Sequence, residues 1–364
     1  MGDLGLKSRI EFIDTLKVLA IFGVITIHIC AIPLINLKIM SLNWIFSVFL
    51  ASIIRWSVPV FLMCSGVLFL NSNKVIGVKQ LFTKYLLRIV SALFVWAIFY
   101  ELIKIFRVSH SSGYIEQAVI IKSIKNILTL NTQTHLYYLY IIILIYALLP
   151  IIRVFTDAAS KQQMEYALIA WIFLGIVFPY AVNIYPFTRL KGIVLQYAIT
   201  MVYSAIGYFV LGHYLQIYTL KKKTTCIIYL LGIMGLLITI GGTIIKSISK
   251  QALNTMYLEG MAPNVAAMAA ALFLFIKNQH GKTKDVGETL ISMKRKITRY
   301  ISKASFCIYL VHVSFIIVLK DLNFPFLAIT PLVTVPLVVL LIFLLSLGVY
   351  CVLSKIPIVN KYFI

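Results

Sequence analysis

Residues 12–34 read FIDTLKVLAIFGVITIHICAIPL, an apolar run interrupted by only three charged or imidazole side chains. An α-helix needs about 20 predominantly apolar residues to cross the hydrocarbon core of a bilayer, which is about 30 Å thick. The run therefore predicts a membrane-spanning helix. Lys7 and Arg9 precede it as in a signal peptide, but its length and the lack of a clear small-residue cleavage site predict that it is retained.

The rest of the chain repeats this pattern. Of its 364 residues, 61% are hydrophobic and 12% charged, and the mean hydropathy is +0.99, whereas soluble domains are about 45–50% apolar. The runs do not alternate as the strands of a membrane β-barrel do, so helices are expected to satisfy the backbone in lipid. The predicted crossings are 12–34, 43–70, 86–106, 135–154, 165–186, 196–218, 225–245, 257–276, 300–319 and 327–353.

These runs predict an all-α polytopic membrane protein with about ten transmembrane helices in one bundle. The bundle is expected to form a single domain over residues 1–364, without a soluble domain. The run 43–70 is long for one crossing, and Pro59 is expected to kink it.

The net charge is +22, and the basic residues that cause it are distributed as in a membrane protein rather than gathered in a nucleic-acid-binding surface. With the amino terminus inside, the segments expected at the inner face hold about twice as many lysines and arginines as the outer ones. Both termini are therefore predicted to be cytoplasmic. Because the basic residues are spread over the loops, the expected partners are membrane lipids, and nucleic acid is not expected. The five cysteines lack CxxC spacing and are interpreted as packing residues.

Three ionisable side chains mark one face of the first helix: Asp14, Lys17 and His28. Lys17 and His28 are eleven residues, or about three turns and 16 Å, apart. His28 lies well into the bilayer and is interpreted as a general base, the alternative being a structural histidine bonded to a neighbouring helix. Lys17 either lines the mouth of a polar tunnel or snorkels to the headgroups, and Asp14 either belongs to the site or pairs with Lys17.

Other ionisable side chains lie within or beside later runs. An arginine inside a membrane needs an anion or carboxylate partner, so Arg55 indicates either a site or an ion pair with Glu101. His312 lies in the middle of a predicted helix and is a second candidate for proton transfer. Lys84 and Arg88 lie at the beginning of the third run, where they either set the orientation in the membrane or bind an anion.

His135, followed by Tyr137 and Tyr138, begins the fourth run at the outer face, where an aromatic belt and a functional site are equally good interpretations. The six histidines show no HxxxH or HExxH spacing, so no metal is expected. There is also no GxSxG elbow, phosphate-binding loop or dinucleotide-binding glycine pattern. The residues alone thus favour either an acid–base enzyme or a transporter.

The chain resembles the acyltransferase-3 family of integral membrane O-acyltransferases, especially its surface-polysaccharide O-acetyltransferase branch. The resemblance covers nearly the whole chain and depends on the order and spacing of several blocks. These blocks are IDTLKVLAIFGVITIH (13–28), RWSVPVFLMCSG (55–66), HLYYLYIIILIYALLPIIR (135–153), IGYFVLGHYL (206–215), APNVAAMAAALFL (262–274) and ISKASFCIYLVH (301–312).

The family carries an arginine, ten residues and a histidine on its first helix. Here Lys17 takes the place of the arginine, which keeps the charge but loses the planar fork. An arginine-rich stretch after the second helix is matched by Lys79, Lys84 and Arg88. Some relatives carry an appended hydrolase-like domain outside the membrane, and none is expected here.

The resemblance implies transfer of an acyl group, usually acetyl, from cytoplasmic acetyl-CoA to a hydroxyl of a cell-surface glycan or its lipid-linked precursor. The expected location is a bacterial cytoplasmic membrane, and acetyl-CoA is a co-substrate rather than a resident cofactor. Lys17, Lys84 and Arg88 are then the candidates for binding CoA. The candidate catalytic residues are His28 as base or nucleophile, Arg55 for the oxyanion, His312 for proton transfer, and Asp14.

Two other functions are compatible with this architecture. A polysaccharide or small-metabolite exporter would more often show two related halves with interrupted helices at matching positions, and no such symmetry is visible in the sequence. A membrane sensor or partner-binding domain would be expected beside a fused soluble enzyme.

Overall fold

The computed structural model describes residues 10–71, 76–190, 192, 201–280 and 288–364. Within these ranges the chain is helical and contains no β-strand. This confirms the prediction of an all-α polytopic membrane protein. The prediction that residues 1–364 form a single domain stays a prediction.

The helices are numbered here in chain order, continuous helical turns being joined. They are α1 (Glu11–Asn36), α2 (Leu42–Ile53), α3 (Ser57–Phe69), α4 (Val78–Ser112), α5 (Gln117–Leu128), α6 (Thr134–Ala158), α7 (Lys161–Ala181), α8 (Met201–Ile217), α9 (Lys222–Lys250), α10 (Pro263–His280), α11 (Glu288–Asp321), α12 (Pro331–Leu353) and α13 (Pro357–Tyr362).

Nine spans of the described chain are long and apolar enough to cross a bilayer, α2 and α3 counting as one. They correspond to nine of the ten predicted crossings. The tenth, 196–218, begins outside the described residues, and its described part is α8, which has 17 residues. A helix of that length reaches the lower limit for a membrane span.

Two predicted inner loops are partly helical. α4 begins at Val78, so Lys79 and Lys84 lie on its first turns rather than in a loop. The basic run 294–296 lies near the start of α11. In the outer segment 107–134, α4 continues to Ser112 and is followed by the short helix α5.

Contacts between helix ends define one side of the bundle. The beginnings of α1 and α11 meet there, together with the ends of α8 and α10. The contacts are Glu11 Oε2 with Arg295 Nε (3.0 Å), Thr15 Oγ1 with His280 Nε2 (3.0 Å), and Lys277 Nζ donating to the Gln216 carbonyl (3.1 Å). Helices α1 and α11 therefore run in the same direction.

The opposite side of the bundle is held by a second set of contacts. They are Arg107 Nη2 with Asp321 Oδ1 (2.6 Å), the Tyr140 hydroxyl donating to the Leu130 carbonyl (2.6 Å), and the Tyr180 hydroxyl donating to the Met256 carbonyl (3.4 Å). The alternation of helix ends between the two sides matches the predicted topology. Which side is cytoplasmic remains the prediction made from the positive charges.

Helix α1 lies at the centre of the bundle and contacts α2, α3, α10, α11 and α12. Its first half belongs to a core cluster that includes Phe12, Leu16, Met63, Phe209 and Phe273. Its second half belongs to another cluster that includes Ile25, Trp44, Tyr100, Ile308 and Ile342. Because α1 is shared by both clusters, its side chains are in contact with most of the bundle.

The predicted crossing 43–70 is interrupted rather than simply kinked at Pro59. Helix α2 ends at Ile53, and α3 begins at Ser57. Proline has no N–H, and its ring clashes with the carbonyl four residues earlier, which here belongs to Arg55. The break is therefore one turn before Pro59. The Trp56 Nε1 atom donates to the Ile53 carbonyl (2.6 Å), and the Ser57 hydroxyl donates to the Ile54 carbonyl (2.5 Å).

Small residues allow α3 and α8 to pack with their backbones in close approach. A Cβ atom on Gly66 would overlap the Phe209 carbonyl, and one on Gly212 would overlap the backbone of Met63. Close helix contact through small residues is a common way to gain van der Waals packing in a membrane. The contact fixes α3, and with it the break that carries Arg55.

Candidate active site

Three histidines from three helices meet inside the bundle: His28 of α1, His135 of α6 and His312 of α11. The ring centroids are 5.2 Å apart for His28 and His312, 5.4 Å for His135 and His312, and 6.2 Å for His28 and His135. His135 and His312 are buried. The structure thus brings together the two predicted catalytic histidines and adds a third.

The hydrogen bonds of His312 indicate which of its two ring nitrogens carries the proton when the ring is neutral. Its Nδ1 atom is 2.7 Å from the Tyr309 carbonyl and 3.2 Å from the Ile308 carbonyl, and a carbonyl can only accept. Nδ1 therefore carries a proton. In the neutral ring Nε2 then has a free lone pair, and this atom is buried without a hydrogen-bond partner within the described part of the chain.

His135 is enclosed by aromatic rings. The ring of Tyr100 is 5.1 Å away and nearly perpendicular to it, and that of Tyr309 is 5.8 Å away. The Tyr309 hydroxyl donates to the backbone carbonyl of His135, and the Tyr100 hydroxyl donates to the Leu310 carbonyl (2.7 Å). The sequence alone did not decide whether His135 belongs to an aromatic belt or to a functional site. Only the packing of α6 against α4 and α11 reveals its neighbours.

Arg55 lies at the break between α2 and α3, close enough to act electrostatically on His28 and Cys30. Its Nε atom is buried and has no hydrogen-bond partner in the ranges that the structure describes. The alternative of an ion pair with Glu101 is not what the structure contains. Glu101 instead accepts from Asn126 Nδ2 (3.1 Å) and pairs with Lys104 (3.4 Å).

A cavity of about 570 Å³ opens between α1, α3, α4, α6, α11 and α12. Its walls are mostly apolar and aromatic, and three of its lining side chains are cationic: Lys17, Arg88 and Lys303. A volume of this order is typical of small-molecule sites. Lys303 was not among the predicted site residues, because a lysine at the start of a predicted crossing is also typical of a topology signal.

The predicted cationic residues divide into two groups. Lys17 and Arg88 line the cavity, and one Arg88 nitrogen donates to the Ile364 carbonyl while the guanidinium lies 5.7 Å from the Phe306 ring centre. The structure does not bring Lys84 to the cavity. Its side chain is exposed, with Nζ 5.6 Å from the centre of the Tyr85 ring.

Asp14 is buried at the same end of α1 as Lys17. Its Oδ1 atom accepts a hydrogen bond of 2.5 Å from the Ser302 hydroxyl of α11. Along α1, Asp14 and His28 are separated by 14 residues, or about 21 Å. The structure therefore places Asp14 near the cationic end of the cavity and away from the histidines.

Two tyrosines connect the cavity with the histidines. Tyr138 and Tyr309 line the cavity, and their ring centres are 5.6 Å apart. The other side of Tyr309 faces the imidazoles, with its ring centre 5.8 Å from that of His135 and 6.1 Å from that of His312. The cavity thus runs from three cations at one end to two tyrosines at the other, and the histidine cluster lies beyond Tyr309.

No group of three or more histidine, cysteine, aspartate or glutamate side chains in the described chain is arranged to hold a metal ion. A neutral imidazole beside a buried arginine can take a proton from a hydroxyl, and the arginine can stabilise a developing negative charge. The arrangement is thus suited to acid–base or acyl-transfer chemistry. That the protein needs no metal stays a prediction.

A family model described as an acyltransferase domain matches residues 10–354. The chain belongs to the acyltransferase-3 family. The match includes every predicted site residue and the whole of α1 to α12. No curated protein and no solved structure gave a match.

Membership in the acyltransferase-3 family assigns the chain to membrane acyl transfer, and its spans make it a multi-pass membrane protein. The resemblance to the family is therefore confirmed at this level. The surface-polysaccharide branch, the acetyl-CoA donor and the roles of single residues are finer statements, and they are proposed below.

Proposed function

We propose that this acyltransferase-3 protein transfers an acetyl group from cytoplasmic acetyl-CoA to a hydroxyl of a cell-surface polysaccharide or its lipid-linked precursor. The proposed location is the cytoplasmic membrane of a bacterium. One observation carries the proposal. One cavity is cationic at one end, has apolar and aromatic walls, and ends at two tyrosines, of which Tyr309 contacts His135 and His312, the two histidines that adjoin His28.

The chemistry of CoA matches the two ends of this cavity. CoA has a phosphate-bearing head and a long, weakly polar arm that ends in the thioester. Lys17, Arg88 and Lys303 would bind the phosphates, since charge-assisted hydrogen bonds to phosphate are among the stronger ones. The arm would then follow the apolar walls outward, along the direction from Lys17 to His28, so that the thioester reaches Tyr138 and Tyr309.

Three residues would perform the chemistry. In direct transfer, His28 takes the proton of the acceptor hydroxyl while the hydroxyl oxygen attacks the acyl carbon. In the alternative route, His28 itself takes the acyl group and then passes it on. In both routes the guanidinium of Arg55 would stabilise the oxyanion, and a buried site strengthens this interaction. His312 keeps a free Nε2 lone pair beside His28.

Acetyl-CoA affinity tests the proposed donor site. Lys17→Ala and Lys303→Ala should each weaken binding of acetyl-CoA to purified protein in nanodiscs by about tenfold or more, since each removes a charge-assisted contact. Lys17→Arg should keep the affinity because it keeps the charge. Isothermal titration calorimetry measures these values, and Lys84→Ala is the matched control because Lys84 does not line the cavity.

Equal affinity of wild type, Lys17→Ala and Lys303→Ala would show that these lysines do not bind the donor. The His28→Ala protein should bind acetyl-CoA nearly as well as wild type, since His28 serves the reaction rather than the donor phosphates. Lack of saturable binding to folded wild type would contradict the acetyl-CoA proposal.

An exporter of polysaccharide or small metabolites is the second candidate. The interruption of α2 and α3 at Arg55 favours it, because many transporters bind substrate at broken helices within the membrane. Release of free CoA thiol discriminates between the two. An acyltransferase in native membranes releases the thiol from acetyl-CoA only when an acceptor is present, whereas an exporter leaves the thioester intact.

A further inference from the structure

The proposed transfer requires a proton to move from the acceptor hydroxyl to the sulfur of CoA. The acceptor hydroxyl loses a proton when its oxygen bonds to the acyl carbon, and the sulfur of CoA gains one when it leaves as a thiol, which is protonated at neutral pH. In the proposed complex the acceptor hydroxyl would approach His28, whereas the sulfur of CoA would lie on the cavity side of Tyr309. A proton carrier between these two positions would complete the reaction.

His135 lies in that position. It lies in the 3-10 turn Thr134–Leu136 that opens α6, one turn before Tyr138 and Leu139, which line the cavity. Its ring centre is 6.2 Å from that of His28 and 5.4 Å from that of His312. At these separations a small ring rotation or one water connects the nitrogens.

The ring nitrogens of His135 are not used by the fold. Both are buried without a hydrogen-bond partner among the described residues, and the Leu310 carbonyl near the ring accepts a hydrogen bond from the Tyr100 hydroxyl. Most buried polar side-chain atoms in proteins have a partner. Leaving both nitrogens of a buried imidazole unpaired costs stability, so the arrangement calls for another explanation.

His312 differs from His135 in this respect. Its Nδ1 is held by the Tyr309 carbonyl, so it can bind and release a proton only through Nε2. An imidazole passes a proton onward by taking it at one nitrogen and releasing it from the other. Of the two buried histidines beside His28, only His135 has both nitrogens available for this.

We propose that His135 is the proton carrier between His28 and the departing thiolate, an inference that depends on the proposed acyl transfer. The acceptor oxygen bonds to the acyl carbon and gives its proton to His28. The carbon–sulfur bond breaks with both electrons on sulfur. His28 passes the proton to one nitrogen of His135, and the other nitrogen releases a proton to the sulfur. His28 ends as it began, and His135 ends neutral as its other tautomer, which a ring flip converts back before the next turnover; no other reactant is needed.

Donors with different leaving groups test this role. The thiolate of 4-nitrothiophenol is far less basic than that of CoA, so its departure needs no proton. Radiolabelled acetyl-CoA and radiolabelled 4-nitrophenyl thioacetate are supplied to membrane vesicles of the producing cell, which contain the natural acceptor. The rate of label transfer to the glycan fraction is measured for wild type, His135→Gln and His135→Asn.

We expect His135→Gln and His135→Asn to lose roughly 100-fold of the transfer from acetyl-CoA and to lose much less of the transfer from the thioacetate. His110→Gln, which changes an exposed histidine on α4, is the matched control and should leave both rates unchanged. Acetyl-CoA affinity of the variants, measured by calorimetry, verifies that the cavity is intact.

Equal losses with both donors would show that His135 only supports the packing of the site and would overturn the proposal. Unchanged rates with both donors would overturn it as well. Both outcomes leave the proposed function in place, since wild type still transfers acetyl groups. Absence of transfer by wild type from acetyl-CoA and from the thioacetate would instead overturn the proposed function and, with it, the role of His135.

Discussion

His28 is surrounded by Arg55, from the break between α2 and α3, by His135 of α6 and by His312 of α11. Charged and polar side chains are costly inside a bilayer, so a bundle that gathers four of them around one point must gain something from the arrangement. A general base is useful only when it touches the proton it removes. The gathering of these residues is therefore the feature that best supports a reaction centre.

Removal of the His28 imidazole tests this centre. In the His28→Ala protein, acetyl transfer to the glycan fraction should fall by roughly 10²–10⁴-fold, the usual contribution of general acid–base catalysis. The amount of folded protein in membranes should stay nearly the same, because the loss of one polar contact costs about 1–3 kcal/mol. Label transfer and the yield after size-exclusion chromatography measure the two quantities.

The His110→Ala protein is the control for this experiment, because His110 is exposed and its ring stacks on that of Phe106, with the ring centres 6.1 Å apart. Normal transfer by His28→Ala would exclude His28 as base and as nucleophile. Loss of folded protein to the same extent as loss of transfer would show that the histidine is structural.

Single residues of the site were predictable to different degrees. His28, Arg55 and His312 stood out because ionisable residues within apolar runs are rare, and the structure places them together. His135 begins a run beside two tyrosines, so its local pattern is also typical of an aromatic belt. Lys303 lies at the start of the predicted crossing 300–319, where a lysine that sets the topology has the same sequence pattern as one that binds an anion. Only the packing of α1, α4, α6 and α11 separates these meanings.

At the scale of elements, the break between α2 and α3 and the close contact between α3 and α8 act together. The break puts Arg55 into the bundle, and Ser57 fits against α1 because Gly23 has no Cβ. Gly66 and Gly212 then hold α3 against α8. The position of Arg55 thus depends on Gly23 of α1, Gly66 of α3 and Gly212 of α8.

The Gly66→Ala protein should lose about 1–3 kcal/mol of unfolding free energy, because its Cβ overlaps the Phe209 carbonyl and the two backbones must separate. Unfolding in mixed micelles with increasing dodecyl sulfate measures this. Gly241→Ala is the control. Nothing lies within 4 Å of a Cβ at Gly241 in α9, so alanine there should be neutral or stabilise the helix by up to about 1 kcal/mol. Equal stability of Gly66→Ala and wild type would show that α3 and α8 separate without cost.

The elements were largely predictable from run length, and their irregularities were not. A run of about 20 apolar residues predicts a crossing whatever its neighbours are. The run 43–70 was expected to bend at Pro59, whereas the helix stops one turn earlier, at the carbonyl that the proline ring meets. Helix α4 has 35 residues, because helical turns with polar residues extend the predicted crossing 86–106 at both ends. The length of the apolar run does not reveal these additional turns.

At the scale of the whole molecule, the alternation of helix ends predicts which loops lie on each side of the membrane. Cysteines introduced in a Cys226→Ser, Cys351→Ser background test the prediction, since those two cysteines are exposed. A cysteine at Gln162 should react with a membrane-impermeant maleimide from the cytoplasmic side, and one at Asn131 from the outer side. Labelling of right-side-out and inverted vesicles measures this.

Reaction of both positions from the same side would contradict the crossing by α6, which separates them. Reaction of each from the side opposite to the prediction would invert the whole topology and place the cationic end of the cavity outside the cell. The acetyl-CoA proposal depends on this orientation, because that donor is made in the cytoplasm.

The central place of α1 also has a consequence for how the protein is made. Asp14 is buried against Ser302, which follows it by 288 residues. Ribosomes add about 5–20 residues per second, so roughly 15–60 s pass before that partner exists. During this interval the first helix holds Asp14, Lys17 and His28 in a half-built bundle, where such side chains are unfavourable in lipid. The helix that is synthesised first thus meets α2 and α3 early, but its contacts with α11 and α12 wait until nearly the whole chain has been made. Until then Asp14 lacks its hydrogen bond with Ser302.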